Sequence, residues 1–159
     1  MELIQTPLGL LEVKYAIGPD RPLITSVLFV QEGEPTDPSM PLAIRIHKYF
    51  SGETTKFNVT NLIKGTPFQK KVWRAIHSIP YGQTRTYAQI AQLIGHPKAY
   101  RAVANACGRN HHTLFIPCHR VVATNGIGGY EWGLECKRWL LKHEREHTKH
   151  TRTIRPKTR

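Results

Sequence analysis

Between Thr66 and Cys107, prolines and glycines divide the chain into three helix-sized pieces, and this punctuation narrows the possible folds more than any other feature. Thr66 as an N-cap with Pro67 at the first helical position predicts a helix start. Phe68, Val72 and Ile76 then step by four until Ile79-Pro80-Tyr81-Gly82 ends the segment. Thr86 caps a second piece, in which Tyr87, Ile90, Ala91 and Ile94 fall at i, i+3, i+4 and i+7 before Gly95-His96-Pro97 breaks it. Lys98 to Cys107 resumes as helix. Two short helices joined by a three-residue turn containing glycine form a helix-turn-helix pattern. Such a hairpin also serves as plain scaffold, but Arg101, projecting from the first turn of the second helix, favours DNA reading.

The preceding residues follow a different pattern. Gly9 to Ile17 and Ile24 to Val30 are strand-like and separated by Gly18-Pro19-Asp20, which predicts a hairpin. After a loop, Leu42, Ile46, Tyr49 and Phe50 repeat at helical spacing until Gly52, and Lys56 to Val59 is again strand-like. Lys64-Gly65 marks a boundary between residues 1–65 and a second unit, 66–147. The first unit has no cysteine and only His47 as a histidine, so no chemistry is expected to converge there. In the second, "LFIPCHRVV" reads as a strand-like pair interrupted at Pro117, Asn125 to Gly133 as a tight loop, and Leu134 to about His147 as a final helix. Residues 148–159 are basic without an apolar face and predict a disordered tail that touches phosphates nonspecifically.

Charge is unevenly divided. Residues 1–66 carry 6 basic and 7 acidic side chains, whereas the remainder carries 17 basic against 4 acidic. That asymmetry fits either a polyanionic partner such as nucleic acid or a solubilising basic surface. No apolar run reaches the roughly 20 residues of a membrane span, and no signal-peptide pattern opens the chain, so a cytoplasmic protein is expected. It would be nucleoid-associated when bound to DNA, or nuclear in a eukaryote. Three cysteines at 107, 118 and 136, with no CxxC pair, argue against a disulfide framework and a structural zinc site.

Cys118 needs help to react, because a free thiol with a pKa near 8.5 is only slightly ionised at neutral pH. His119 is the adjacent base, but neighbours on an extended strand face opposite ways, so contact requires a turn or an intervening water. Glu144, on the edge of the buried stripe with Trp139 and Leu140 in the last helix, is the carboxylate placed to orient the imidazole. A Cys-His-Glu relay competes here with an inert core thiol, a satisfied buried histidine and a surface glutamate. Arg120 reads as structural and receives no chemical role.

"TPFQKKVWRAIHSIPYGQTRTYAQIAQLIG", "PKAYRAVANAC", "NHHTLFIPCHRVV" and "GGYEWGLECKRWLLKHE" together resemble the methylated-DNA protein-cysteine methyltransferases, also called O6-alkylguanine-DNA alkyltransferases. The resemblance is dense from Thr66 to Glu144 and weaker, through "TPLGLLEV" and "HKYFSGE", before it. It implies an α+β chain: a small N-terminal ribonuclease H-like α/β domain with an antiparallel sheet, and a helical, winged-helix-like domain carrying the helix-turn-helix. The implied activity is DNA repair by direct, irreversible transfer of an alkyl group, mainly methyl, from O6 of guanine or O4 of thymine to Cys118. His119 would act on Cys118 through a water, Glu144 would orient His119, and Asn110 would tie the loop beside the active turn. Arg101 would fill the stack vacated by a flipped base from within the minor groove, and Tyr87 would crowd the adjoining phosphate. Phe68, His96 and Thr124 match further backbone contacts, and the base pocket would take the backbone of Val121 with Tyr130, Glu131 and Trp132, and Lys137 below. The resemblance implies no cofactor or metal, a monomer, and double-stranded DNA as partner.

Asn110-His111 replaces the Asn-Pro of many members, and the glycine-rich loop is one residue shorter. Trp132 stands where many carry glycine, which predicts a narrow pocket mouth, good repair of methyl adducts and resistance to O6-benzylguanine; the alternative is that Trp132 simply packs outward. The competing classes are a non-enzymatic damage binder, disfavoured by Cys118; a helix-turn-helix regulator, disfavoured by the small residues after Arg101; and a thiol hydrolase, for which the basic face has no use.

Overall fold

The structure, a computed structural model, describes residues 1–58 and 63–154, the last six by backbone alone. An antiparallel sheet of β1 (Glu2–Thr6), β2 (Gly9–Ala16) and β3 (Leu23–Val30) opens the chain, in the order β1-β2-β3. Register is fixed by one buried face: Ile4 opposes Leu11, and Val13 opposes Val27. All four side chains are buried, and each such burial contributes about 1.5–3 kcal/mol. Helix α1 (Pro41–Phe50) lays Ala43, Ile46 and Tyr49 on the same core. The expected hairpin is present, with β1 as an additional strand. Lys56 to Asn58 is not strand, and Val59 lies outside the described residues.

The second half is helical. α2 (Pro67–His77) and α3 (Tyr87–Leu93) each begin with a full capping box, Thr66 with Gln69 and Thr86 with Gln89. In each, the threonine hydroxyl accepts from one orphan backbone N–H and the glutamine side chain satisfies another. α4 (Tyr100–Gly108) completes the helical hairpin, and the Trp73 indole donates to the Ala106 carbonyl at 2.9 Å to lock α2 on α4. Two short strands, β4 (Arg85–Thr86) and β5 (Val121–Val122), pair in parallel. Helix α5 (Leu134–Ile154) closes the fold and is long enough to continue past the expected end at His147. No glycine or proline lies between Gly133 and Pro156, and the Thr148 hydroxyl is satisfied by the Glu144 carbonyl at 2.7 Å, so nothing stops the helix there. The basic segment expected to be disordered is therefore helical as far as Ile154, and residues 155–159 lie outside the described residues.

Two apolar cores meet at one segment. Leu114 and Phe115 belong to the core of the sheet, α1 and α5, whereas Ile116 and Cys118 belong to the core of α2, α3 and α4. This segment is not the expected strand. Val27 pairs with its entrance only, donating to the His111 carbonyl at 2.7 Å and accepting from Thr113 at 2.9 Å. Leu114 then turns the chain at φ +69°, a left-handed conformation that costs a non-glycine residue about 1–2 kcal/mol. The turn lets consecutive side chains enter different cores, which a flat strand could not do.

Candidate active site

Cys118 sits on a double turn. Pro117, at φ −80° and ψ 65°, makes an inverse γ-turn in which Cys118 donates to the Ile116 carbonyl at 2.8 Å. A single 3-10 turn, Cys118–Arg120, follows, with Arg120 donating to the Pro117 carbonyl at 2.9 Å. The turn needed to bring His119 to the same side as its neighbours is thus supplied by proline's fixed φ. All three side chains of the triplet are buried.

Asn110 is held from both ends. Its carboxamide oxygen accepts from the His112 backbone at 2.8 Å, and its nitrogen donates to the Ile116 carbonyl at 2.8 Å and to Cys118 Sγ at 3.2 Å. Burial nevertheless pushes the Cys118 thiol up, against the Asn110 hydrogen bond and the Lys137 ammonium, so the resting group is a thiol that requires a base.

His119 is fully buried, and burial holds its pKa below the usual histidine value despite the Glu144 carboxylate, which favours the cation. The imidazole is accordingly neutral. Its Nε2 lies 2.6 Å from Glu144 Oε2, which assigns the proton to Nε2 and leaves Nδ1, buried and without a hydrogen-bond partner, as a free base. Burial alone would raise the Glu144 carboxyl; His119 and Arg120 together hold it well below the usual carboxylate range.

Glu144 is met from every side. Arg120 Nε donates to its Oε1 at 2.7 Å and Nη2 to its Oε2 at 3.2 Å, while Nη1 reaches the Ile79 carbonyl at 2.8 Å. Tyr49 from α1 donates its hydroxyl to Oε2 at 2.6 Å, and Gly82 donates its backbone N–H at 3.2 Å. Arg120 is structural, as expected: its buried guanidinium needs a paired carboxylate, and Glu144 is the one it reaches. One sequence expectation is corrected here. The N-terminal half does converge on the chemistry, through Tyr49, whose buried hydroxyl must find an acceptor. Neither gave a signal in the sequence: the burial of Arg120 is decided by the fold, and Tyr49 lies 95 residues before Glu144.

Cys118 opens into a cavity of about 420 Å³ lined also by Tyr87, Ala104, Asn105, Cys107, Gly108, Gly129, Tyr130 and Glu131. The Tyr87 hydroxyl accepts from Gly129 N at 3.2 Å. Gly128 has φ +75°, and a Cβ there would come within 2.7 Å of that hydroxyl, so glycine is required for the loop to close on Tyr87. Lys137 lies fully buried behind the cavity, donating to the Val121 carbonyl at 2.6 Å and the Gly129 carbonyl at 2.8 Å, and burial brings its pKa down to about 8. Val121 thus contributes its backbone carbonyl to the support of the cavity wall.

Trp132 is the correction that matters for specificity. It does not line the cavity. Its indole N–H donates to Thr113 Oγ1 at 2.9 Å and its ring meets Phe29 edge-on at 5.7 Å, because the indole finds both an acceptor and an aromatic partner on the sheet side. Arg101, at the exposed start of α4, lies 6.0 Å over the Tyr100 ring. Phe68 and exposed His96 meet at 6.0 Å where α2 begins and the helical hairpin turns. Thr124 is exposed beyond β5 and is not part of the cavity wall. Among the described residues no cluster of three metal-ligating side chains occurs, and no helix is long and apolar enough to cross a membrane.

Residues 67–146 match the family described as 6-O-methylguanine DNA methyltransferase, DNA binding domain. The chain is 48% identical over 149 residues, 93% of its length and 98% of the relative's, to a probable methylated-DNA–protein-cysteine methyltransferase of Acanthamoeba polyphaga mimivirus. It is 39% identical over 161 residues to the methylated-DNA–protein-cysteine methyltransferase of Mycolicibacterium paratuberculosis, covering 95% of each. Among solved structures, the Mycobacterium tuberculosis OGT in complex with DNA superposes with a TM-score of 0.79 at 33% identity, covering 92% of this chain and 93% of that one. A cysteine turn backed by a buried histidine and glutamate, a helical hairpin beside it and these matches agree, and the chain belongs to the methylated-DNA–protein-cysteine methyltransferase family.

Proposed function

We propose that the protein repairs duplex DNA by a single, irreversible transfer of an alkyl group from O6 of guanine to Cys118. The observation that supports the reading is the arrangement around Cys118: its Sγ on the cavity wall, held by Asn110, with a buried His119 whose unpartnered Nδ1 is backed by Glu144. The Cys118 proton passes through a water to His119 Nδ1, and the resulting imidazolium is stabilised by Glu144. Sγ then attacks the alkyl carbon in line, the carbon–O6 bond breaks, and the guanine leaving group takes up a proton to become normal guanine. A thioether remains on Cys118, and no base is required to remove it because the protein is consumed.

Asn110 stabilises the developing thiolate by donating to Sγ, and the buried Lys137 adds positive charge behind it. Because the reacting atom sits inside the duplex, the base must be flipped into the cavity, at a cost of a few kcal/mol. Arg101 at the start of α4 fills the vacated stack from the minor groove, Tyr87 presses on the adjoining phosphate, and Phe68, His96 and Thr124 contact the backbone. Tyr130 and Glu131 line the pocket around the base. O4-alkylthymine enters the same site, the protein acts as a monomer, and the basic half supplies the attraction to phosphates. With Trp132 turned onto Phe29 and small Ala104, Gly108 and Gly129 around the cavity, adducts larger than methyl are admitted.

The test is to mix the protein with duplex DNA carrying O6-methylguanine and weigh the intact chain. A gain of one CH2 is expected, located on Cys118 by peptide mapping and absent in Cys118→Ser. Tight binding to the damaged duplex without any mass gain would identify a damage binder instead.

A further inference from the structure

The reading face of α4 contains one polar side chain that the proposed mechanism leaves unused. From Tyr100 to Gly108 the helix reads YRAVANACG, so beyond Arg101 its side chains are small or apolar except for Asn105. Asn105 lies four residues after Arg101, which puts both on one helix face. It is exposed, it lines the mouth of the Cys118 cavity beside Ala104 and Gly108, and its carboxamide makes no side-chain hydrogen bond among the described residues. An amide kept free at the edge of a reactive pocket has both a donor and an acceptor to offer to DNA.

We propose that Asn105 reads the minor-groove edge of the base pair next to the lesion and favours G·C there through the guanine 2-amino group. This rests on the alkyl-transfer reading above, with α4 in the minor groove. Four residues of helix rise about 6 Å, and base pairs are spaced about 3.4 Å apart, so a side chain one turn from Arg101 reaches the pairs adjoining the vacated position. In that groove A·T and T·A present acceptors alone, and G·C adds one donor, the 2-amino group. The Asn105 carbonyl oxygen accepts from that amino group, while its NH2 donates to a neighbouring acceptor. Ala102, Ala104 and Gly108 bring the helix close but cannot tell one pair from another. Asn105 thereby gives sequence context to a protein whose other groove contacts carry little.

Three duplexes separate the outcomes, identical except that the pair beside O6-methylguanine is G·C, inosine·C or A·T. Inosine lacks the 2-amino group and with it one pairing hydrogen bond, so the comparison with Asn105→Ala is what separates direct contact with the amine from effects on pairing and DNA shape. The rate of methyl uptake at subsaturating protein is expected to be about three- to tenfold higher with G·C than with inosine·C, the worth of one net hydrogen bond. In Asn105→Ala the ratio is expected to fall to one, and because it is a ratio within one variant, any loss of folded protein cancels. Equal wild-type rates on the G·C and inosine·C duplexes, or a preference that survives in Asn105→Ala, would overturn the proposal while alkyl transfer stands. Absence of methyl uptake on every duplex overturns both.

Discussion

Trp132 illustrates how far one side chain's surroundings outweigh its position in a motif. Placed by the sequence between pocket residues, it was expected to narrow the mouth; its indole instead bonds Thr113 and packs on Phe29. Trp132→Gly should therefore leave the rate of reaction with O6-benzylguanine unraised. It should lower stability by about 1–3 kcal/mol through lost packing and a lost hydrogen bond, measured by denaturant titration. A faster benzylguanine reaction in this variant would return Trp132 to the pocket. Arg120 and Tyr49 make the complementary point. The sequence displayed both as ordinary residues, one after a histidine and one in an apolar stripe, and only their common partner Glu144 gives them a place in the site.

At the scale of elements, the helices of the second half were legible because their signals are local. The spacing predicted starts at Thr66 and Thr86, and both threonines form capping boxes there. The cap should be measurable on its own: Thr66→Ala is expected to cost about 1 kcal/mol in urea unfolding, with the slope of the transition unchanged. No loss would mean that Pro67 and tertiary packing set the helix start without the hydroxyl. The segment around Cys118 was not legible in the same way. Its apolar run reads as strand, but it divides its side chains between two cores through the left-handed Leu114 and the γ-turn at Pro117. Periodicity cannot report such a division, since it assumes that one element faces one core. The end of α5 differs from expectation for another reason: the apolar face ends near His147, but no glycine or proline before Pro156 breaks the helix.

The whole molecule couples its two halves through buried ionisable groups, and this sets its response to acid. Burial lowers the pKa of His119, His112 and His143, so each is neutral in the fold and binds a proton more readily when unfolded. The unfolded state therefore takes up more protons as pH drops below the ordinary histidine value, and stability falls with it. Glu144, held low by His119 and Arg120, adds loss of the same sign below the ordinary carboxylate value. The melting temperature should decline between about pH 7.5 and 5.5 and fall further in stronger acid; a flat profile would show that these histidines are not buried neutral. The sequence by itself determined the helical hairpin, the residue types of the relay and the family, because caps, turn residues and motifs are local in the chain. Only the tertiary structure decided what each polar group answers to: that Tyr49 and Arg120 share Glu144, that His119 keeps one nitrogen free, and that Trp132 leaves the pocket. The first and last follow from the cost of burying an unpaired polar group, which is avoided by contacts between residues far apart in sequence; the free His119 nitrogen bears that cost.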